Sequence, residues 1–236
     1  MSATYDTIAD ALRAAGLTPR GGFAAAPGDH VPALADGRAA CTLVLAGNVG
    51  GAMWAAFARS PEFAQPRDPL DAWTRRVLDD IAGRLGAAAL YPFGGPPHHP
   101  FQRWAMRAQN VQPSPLGLLI HPEYGLWHAY RGALAFAQAI AVPERSAHPS
   151  PCASCPDRPC LGACPVSAFT GKSYDAAACA GHITAPAGQR CVSLGCAARL
   201  ACPIGTGYHY GTEQQQFHMR AFRTARTRGG SEQEVS

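Results

Sequence analysis

Apolar positions recur at helical spacing in some stretches and form short unbroken runs in others, so the first part of the chain reads as alternating helices and strands. Ile8, Leu12 and Ala15 predict a helix over Thr4–Ala15 that stops at Gly16. Thr42-Leu-Val-Leu-Ala46 predicts a buried strand, followed by Gly47-Asn-Val-Gly-Gly51 and a helix carrying Met53, Trp54 and Phe57. Asp68-Pro69 reads as a helix start, with Asp as cap and Pro in the first turn. Its apolar face, Leu70, Trp73, Val77, Ile81 and Leu85, runs to Gly86. A strand is expected over Ala88–Tyr91, and a short helix from Pro100 with Phe101, Trp104 and Ala108 on one side. Leu116–Ile120 and Leu126–Phe136 predict two strands joined by a hairpin-like connection at His121–Gly125. Helix and strand signals ending in a hairpin predict an α+β fold with a mixed sheet.

The pattern changes at Ala147-His-Pro-Ser-Pro151, a proline-punctuated linker. The expected organisation is an α/β domain over 1–146, a small cysteine-bearing domain over 147–219, and a basic tail over 220–236 that frays. Composition fits a folded protein: 47% of the 236 residues are hydrophobic and 15% charged, too apolar for wholesale disorder. The net charge of +4 is mild and its cations are scattered, Lys172 being the only lysine, so no nucleic-acid partner is expected. No apolar run approaches the ~20 residues of a membrane span. The first ten residues carry acids where a signal peptide needs bases, which predicts a cytoplasmic protein. Thiols stay reduced there, so nine cysteines point to metal or redox chemistry before disulfides.

Eight of the nine lie between Cys152 and Cys202; Cys41 stands apart in an apolar run and is expected to be a small buried residue. The first run, Cys152-Ala-Ser-Cys155-Pro-Asp-Arg-Pro-Cys160-Leu-Gly-Ala-Cys164-Pro165, has gaps of 2, 4 and 3 residues. The bacterial ferredoxin run has gaps of 2, 2 and 3 with the same terminal proline, and its fourth cysteine serves the other cluster. Pro165 is expected to open a helical turn. A second run, Cys191-Val-Ser-Leu-Gly-Cys196-Ala-Ala-Arg-Leu-Ala-Cys202-Pro203, also ends in Cys-Pro, with Cys179 upstream. If both Cys-Pro cysteines cross over, one 4Fe–4S cluster takes Cys152, Cys155, Cys160 and Cys202, and a second takes Cys164, Cys179, Cys191 and Cys196. Structural zinc, and a single cluster with spare cysteines, are the competing readings.

That order of runs, with an isolated cysteine between two Cys-Pro endings, resembles the ferredoxin part of epoxyqueuosine reductases and reductive dehalogenases. The resemblance implies two clusters feeding a cobalamin held by the preceding domain. Asp68–Arg76, and more specifically Ile120-His-Pro-Glu-Tyr-Gly-Leu-Trp-His-Ala-Tyr-Arg-Gly132, resemble the cobalamin-processing CblC-type proteins, over roughly Thr42 to Phe136. This implies a nitroreductase-like domain ahead of a ferredoxin-like one, and puts His121, Tyr124, Trp127, Arg131 and Gly132 forward as cofactor-binding residues. The chain departs from the first family where an Asp-Tyr-His element is expected, having Asp71-Ala72-Trp73. It also lacks an Asp-x-His-x-x-Gly element that would supply a lower histidine ligand to cobalt.

Read residue by residue, the same positions have plainer roles. His121 in a turn can simply satisfy backbone groups. Arg131 in an apolar strand needs a partner, which is either an acid of the protein or an anionic ligand. Gly132 permits close backbone approach or marks a bulge, and Trp104 and Trp127 suit a core. His98-His99 and the Gly47–Gly51 loop are weaker metal and phosphate candidates. The function expected is an iron–sulfur reductase passing single electrons to an acceptor in the first domain, supplied by a redox protein or small donor. A non-enzymatic ferredoxin-type carrier with a docking domain is the alternative. No residue is singled out as catalytic.

Overall fold

The structure, a computed structural model, describes residues 3–233, with residues 227–233 described by backbone alone. The elements in chain order are α1 (Tyr5–Ala14), β1 (Thr18–Ala24), β2 (Thr42–Val49), α2 (Trp54–Ala58), α3 (Pro69–Leu85), β3 (Ala88–Leu90) and α4 (Phe101–Ala108). There follow β4 (Gln112–Pro113), β5 (Leu119–Ile120), β6 (His128–Phe136), α5 (Pro159–Gly162), α6 (Ala176–Thr184), α7 (Gln189–Leu194), α8 (Ala197–Leu200) and α9 (Thr212–Gln233). The fold is α+β, as the sequence implies. It divides into two compact units, one of residues 1–111 with 128–148, the other of 112–127 with 149–236. No helix among the described residues is long and apolar enough to cross a membrane.

The first unit is built on a four-stranded sheet in the order β1-β2-β6-β3, with all three ladders antiparallel. The unbroken apolar run of β2 makes it a central strand, buried from Thr42 to Asn48. Its ladder to β6 runs from Thr42 opposite Phe136 to Val49 opposite His128. Helices α1 and α4 pack on β1, and α3 on β3 and β6. Thr4 caps α1 reciprocally with Thr7, each backbone amide donating to the other's hydroxyl at 2.9 and 3.3 Å. The apolar face of α3 buries Leu70, Trp73, Val77, Leu78 and Ile81, each worth roughly 1.5–3 kcal/mol as a buried large side chain.

Several local expectations change. Asp68 occupies the cap position of α3 but with a left-handed backbone (φ 44°) and no side-chain capping bond, so Pro69 alone marks the helix start. Cys41 is exposed, because it lies just before β2, where its amide donates to Phe136. The apolar runs on either side of His121–Gly125 do not pair with each other. β5 is two residues long and pairs with β4, while β6 joins the large sheet. Only the connection itself closes, through a two-way backbone bond between His121 and Gly125. Residues 112–127 therefore belong to the unit that carries the eight clustered cysteines. The segment from Arg220, expected to fray, continues α9 to Gln233; residues 234–236 lie outside the described residues.

The second unit is organised around short helices. One apolar cluster gathers Leu116, Ile120, Leu126, Ala198 and Cys202, and another gathers Ile183, Cys191 and Val192 under Met219 and Phe222 of α9.

Two groups of four thiols

The cysteine spacing that departs from the ferredoxin pattern has a local cause in each case. Between Cys155 and Cys160 the two additional residues include Asp157 and Arg158, both left-handed (φ 56° and 42°), before Pro159 opens α5. In the second run, Cys191 lies within α7, Cys196 caps α8, and Cys202 follows α8, so the long gaps are short helices. Pro165 begins a turn and not the expected helix.

All nine cysteines are free thiols. Cys152, Cys155, Cys160 and Cys202 line one small cavity, about 20 Å³ in volume, walled by Pro115, Ile120, Pro203 and Ile204. Cys164, Cys179, Cys191 and Cys196 line a second, also about 20 Å³, walled by Val166, Phe169, Ile183 and Met219. Each cavity thus draws three cysteines from one stretch and one from elsewhere, and Cys164 and Cys202 each face the cavity opposite to their own run. Among the described residues no three His, Cys, Asp or Glu side chains converge tightly enough to hold one metal ion. A tetrahedral zinc needs four donors within about 2.3 Å of one centre. Four thiols around one apolar-walled cavity can each give a thiolate to one iron of a cubane.

Burial pushes the Cys152, Cys160, Cys191, Cys196 and Cys202 thiols up, with neighbouring thiols adding to the effect. Backbone amides oppose it: those of Arg199 and Ala198 at Cys196, of Ala197 at Cys191 and of Ile204 at Cys202. The Ala168 amide donates to Cys164 Sγ at 3.3 Å. Iron would replace the protons, and an amide–sulfur bond such as that of Ala168 to Cys164 would raise the potential of a bound cluster.

The segment 120–127 fastens the loop that carries Cys202. Gly125 (φ 57°) approaches so closely that a Cβ there would lie 1.9 Å from the Ile204 carbonyl oxygen. His121 Nδ1 accepts from the amides of Glu123 and Tyr124 at 3.1 and 3.3 Å, and its ring stacks on Tyr124 at 4.1 Å. Tyr124 meets Tyr208 edge-on, and the Tyr208 hydroxyl donates to Glu123. Arg199, between Cys196 and Cys202, donates to the Leu126 carbonyl at 2.5 and 3.2 Å and stacks on Trp127 and Tyr210 at 4.4 and 4.5 Å. Sequence reasoning missed Arg199; an arginine in an otherwise apolar cysteine run was its signal. Trp127 is buried against His209 at 4.3 Å, and neither Trp127 Nε1 nor His209 Nε2 has a hydrogen-bond partner. Burial, followed by the charge of Arg199, holds His209 below the usual imidazole range. Gln214 is fully buried with both amide atoms unpartnered.

The other two candidates lie in the first unit. Arg131 pairs with Asp71, contacts Thr74 Oγ1 at 3.4 Å and lies over Phe93 at 5.2 Å. Of its two readings, the acid of the protein is the partner found. Gly132 gives room to α3: a Cβ there would meet Leu78 Cδ1 at 2.3 Å. His99 stacks on Trp104, and α2, with five residues, is too short to present an anion site beyond the Gly47–Gly51 loop.

No family model and no curated protein matches this chain. Among solved structures it is similar to a Caenorhabditis elegans B12-trafficking protein, CblC, a homologue of human MMACHC. The TM-score is 0.51 at 12% identity, over 92% of this chain and 95% of that one. This likeness concerns the fold. Also similar are epoxyqueuosine reductases of Bacillus subtilis (TM-score 0.48, 15% identity, 90% of this chain, 68% of that one) and Streptococcus thermophilus (0.47, 16%, 87%, 67%). Against a further epoxyqueuosine reductase the chain spans 52% of the length. The resemblance to CblC-type proteins read from the sequence therefore has a counterpart among solved folds.

Proposed function

We propose that this chain is an iron–sulfur reductase with two 4Fe–4S clusters, passing single electrons to an acceptor associated with the first unit. The observation that carries this reading is the separation of eight free thiols into two groups of four, each lining its own apolar-walled cavity. Cys152, Cys155, Cys160 and Cys202 would hold one cluster, and Cys164, Cys179, Cys191 and Cys196 the other. Clusters so held supply one-electron reduction. The chain's own residues exclude water with Pro115, Ile120, Phe169 and Met219, and direct backbone amides at the sulfur atoms. These are the protein's contributions in cofactor chemistry.

A corrinoid is the acceptor this reading favours, since the B12-trafficking CblC protein shares the fold over nearly its whole length. Such a corrinoid would be held without a histidine from an Asp-x-His-x-x-Gly element. The test is anaerobic purification with iron and sulfide analysis and EPR, followed by cobalamin titration. About eight irons per chain and a cobalamin-dependent spectral change support the proposal. Zinc in place of iron refutes it, and iron without cobalamin binding refutes the corrinoid alone.

A further inference from the structure

A third cavity, of about 310 Å³, belongs wholly to the first unit, where the end of α1 meets α2 and α3. Its volume is at the lower end of the roughly 300–1,000 Å³ of small-molecule sites. Helix α3 supplies Trp73, Arg76, Val77 and Asp80, which recur at i, i+3, i+4 and i+7 and therefore share one face of the helix. Trp73 and Val77 are buried and form an apolar floor, while Arg76 and Asp80 stand exposed at the rim. The facing elements contribute only small side chains, Ala15 at the end of α1 and Ala56 in α2. These two elements close on each other tightly, since a Cβ at Gly16 would lie 2.5 Å from Ala56 Cβ.

The polar groups of this cavity are incompletely used by the protein. Ser60 lines it, and its hydroxyl oxygen is buried with no hydrogen-bond partner. Arg76 gives Nε and Nη2 to Glu62 at 2.5 and 3.1 Å, and among the described residues its Nη1 has no hydrogen bond. Glu62 is two residues after Ser60, which sets the guanidinium and the hydroxyl at one end of the cavity. Asp80 lies one turn further along α3 and pairs with Arg84 at 3.1 Å, on the exposed side, and not with Arg76. Two opposite charges thus border one cavity about 5–6 Å apart at Cβ without answering each other.

We propose that this cavity binds a small zwitterion, an α-amino acid with an aliphatic side chain. Its carboxylate would accept from Arg76 Nη1 and from the Ser60 hydroxyl, and its ammonium would donate to Asp80. The aliphatic side chain would lie on Trp73 and Val77 between Ala15 and Ala56. A simple anion would meet Asp80 and a simple cation would meet Arg76, whereas a molecule with both charges satisfies each. The site lies in the first unit and is independent of the clusters.

The test is isothermal titration of the full chain with L-leucine, for which a Kd below about 1 mM is expected. Leucinamide, without the carboxylate, and 4-methylpentanoate, without the ammonium, should each bind at least about tenfold more weakly. Asp80→Asn should weaken L-leucine about tenfold and leave 4-methylpentanoate no weaker, because that compound has nothing to give Asp80. Ser60→Ala should weaken L-leucine and leave leucinamide unchanged. Ala15→Phe fills the cavity and should abolish binding; Asp10→Asn, on the exposed side of α1, should stay within about twofold of the unaltered chain. Circular dichroism and the urea midpoint report whether each variant is folded, and Asp80→Asn with Ser60→Ala carry the test if Ala15→Phe is not. No binding of L-leucine at about 10 mM, or equal affinity for the three compounds, overturns the proposal. So does an affinity that neither Asp80→Asn nor Ser60→Ala changes. Iron-free chain should bind L-leucine as well as iron-loaded chain, so failure of the cluster reading leaves this one standing.

Discussion

On the proposed two-cluster reading, replacing Cys202 with alanine should remove the cluster assigned to Cys152, Cys155 and Cys160, although Cys202 ends the run that begins at Cys191. Alanine cannot ligate iron, and Cys202 faces the cavity of the first three cysteines. One cavity then keeps three thiols and the other keeps four, so iron should fall from about eight to about four per chain. Iron content alone does not say which centre was lost; the EPR signal of the remaining one does. Cys155→Ala supplies the reference spectrum for loss of the first centre and Cys191→Ala for loss of the second. The residual signal of Cys202→Ala should match that of Cys155→Ala, and Cys164→Ala should match Cys191→Ala. Pairing adds a second check. Cys155→Ala with Cys202→Ala should still hold about four irons, whereas Cys155→Ala with Cys191→Ala should hold almost none. If the residual signal of Cys202→Ala matches Cys191→Ala, the thiols group by sequence run, and the spatial partition drawn here is wrong.

Arg76 donates to Glu62 at 2.5 and 3.1 Å and holds that carboxyl down to about 2 from its ordinary 4.5. A lowered folded-state value means the contribution is complete above 4.5 and lost as pH falls toward 2. Since Arg76 is half exposed, screening reduces it to about 1 kcal/mol. Urea titrations across that window should show a shallower acid loss for Arg76→Ala, and an unchanged slope would count against the pair. Asp71→Ala should destabilise the first unit by about 2 kcal/mol, because Arg131, 15% exposed, loses its acid; a neutral effect by chemical denaturation would return Arg131 to the ligand-binding reading. Gly125→Ala should cost about 3 kcal/mol, from a clash with the Ile204 carbonyl in a left-handed position. It should weaken the EPR signal of the first centre before the second, and equal loss of both would contradict the bracing role of that turn.

How far the sequence reaches differs from element to element. α1, α3 and α4 were legible because their buried faces recur every three or four residues, and β2 because a run from Thr42 to Ala46 suits a strand covered on both sides. β1 was not: Thr18-Pro-Arg-Gly-Gly-Phe-Ala holds a proline, two glycines and a cation. It survives as an edge strand whose register shifts between Pro19 and Gly22, with Arg20 buried against His128 and the Tyr130 ring. The unit to which 112–127 belongs was equally hidden, since Leu116, Ile120 and Leu126 look the same whichever core they enter. The thiol grouping was legible because each Cys-Pro ending marks a side chain that leaves its own run.

The motif from Ile120 to Gly132 gives a physical reason to separate resemblance from role. Several of its uncommon residues have structural work within their own unit. His121 satisfies the amides of its turn, Tyr124 packs on Tyr208, Gly125 admits the Ile204 carbonyl, Arg131 answers Asp71 and Gly132 makes room for Leu78. Packing alone could preserve each of them. It does not account for Trp127 Nε1, which is buried without an acceptor beside an equally unpartnered His209 Nε2. An unmet buried donor costs about 1–3 kcal/mol, and a protein that needed only a core could place phenylalanine there. Bound ligand or water that meets these atoms removes that cost. Of the motif's residues, Trp127 is therefore the one whose polar atom has no structural work within its unit, whereas the charge of Arg131 is already answered.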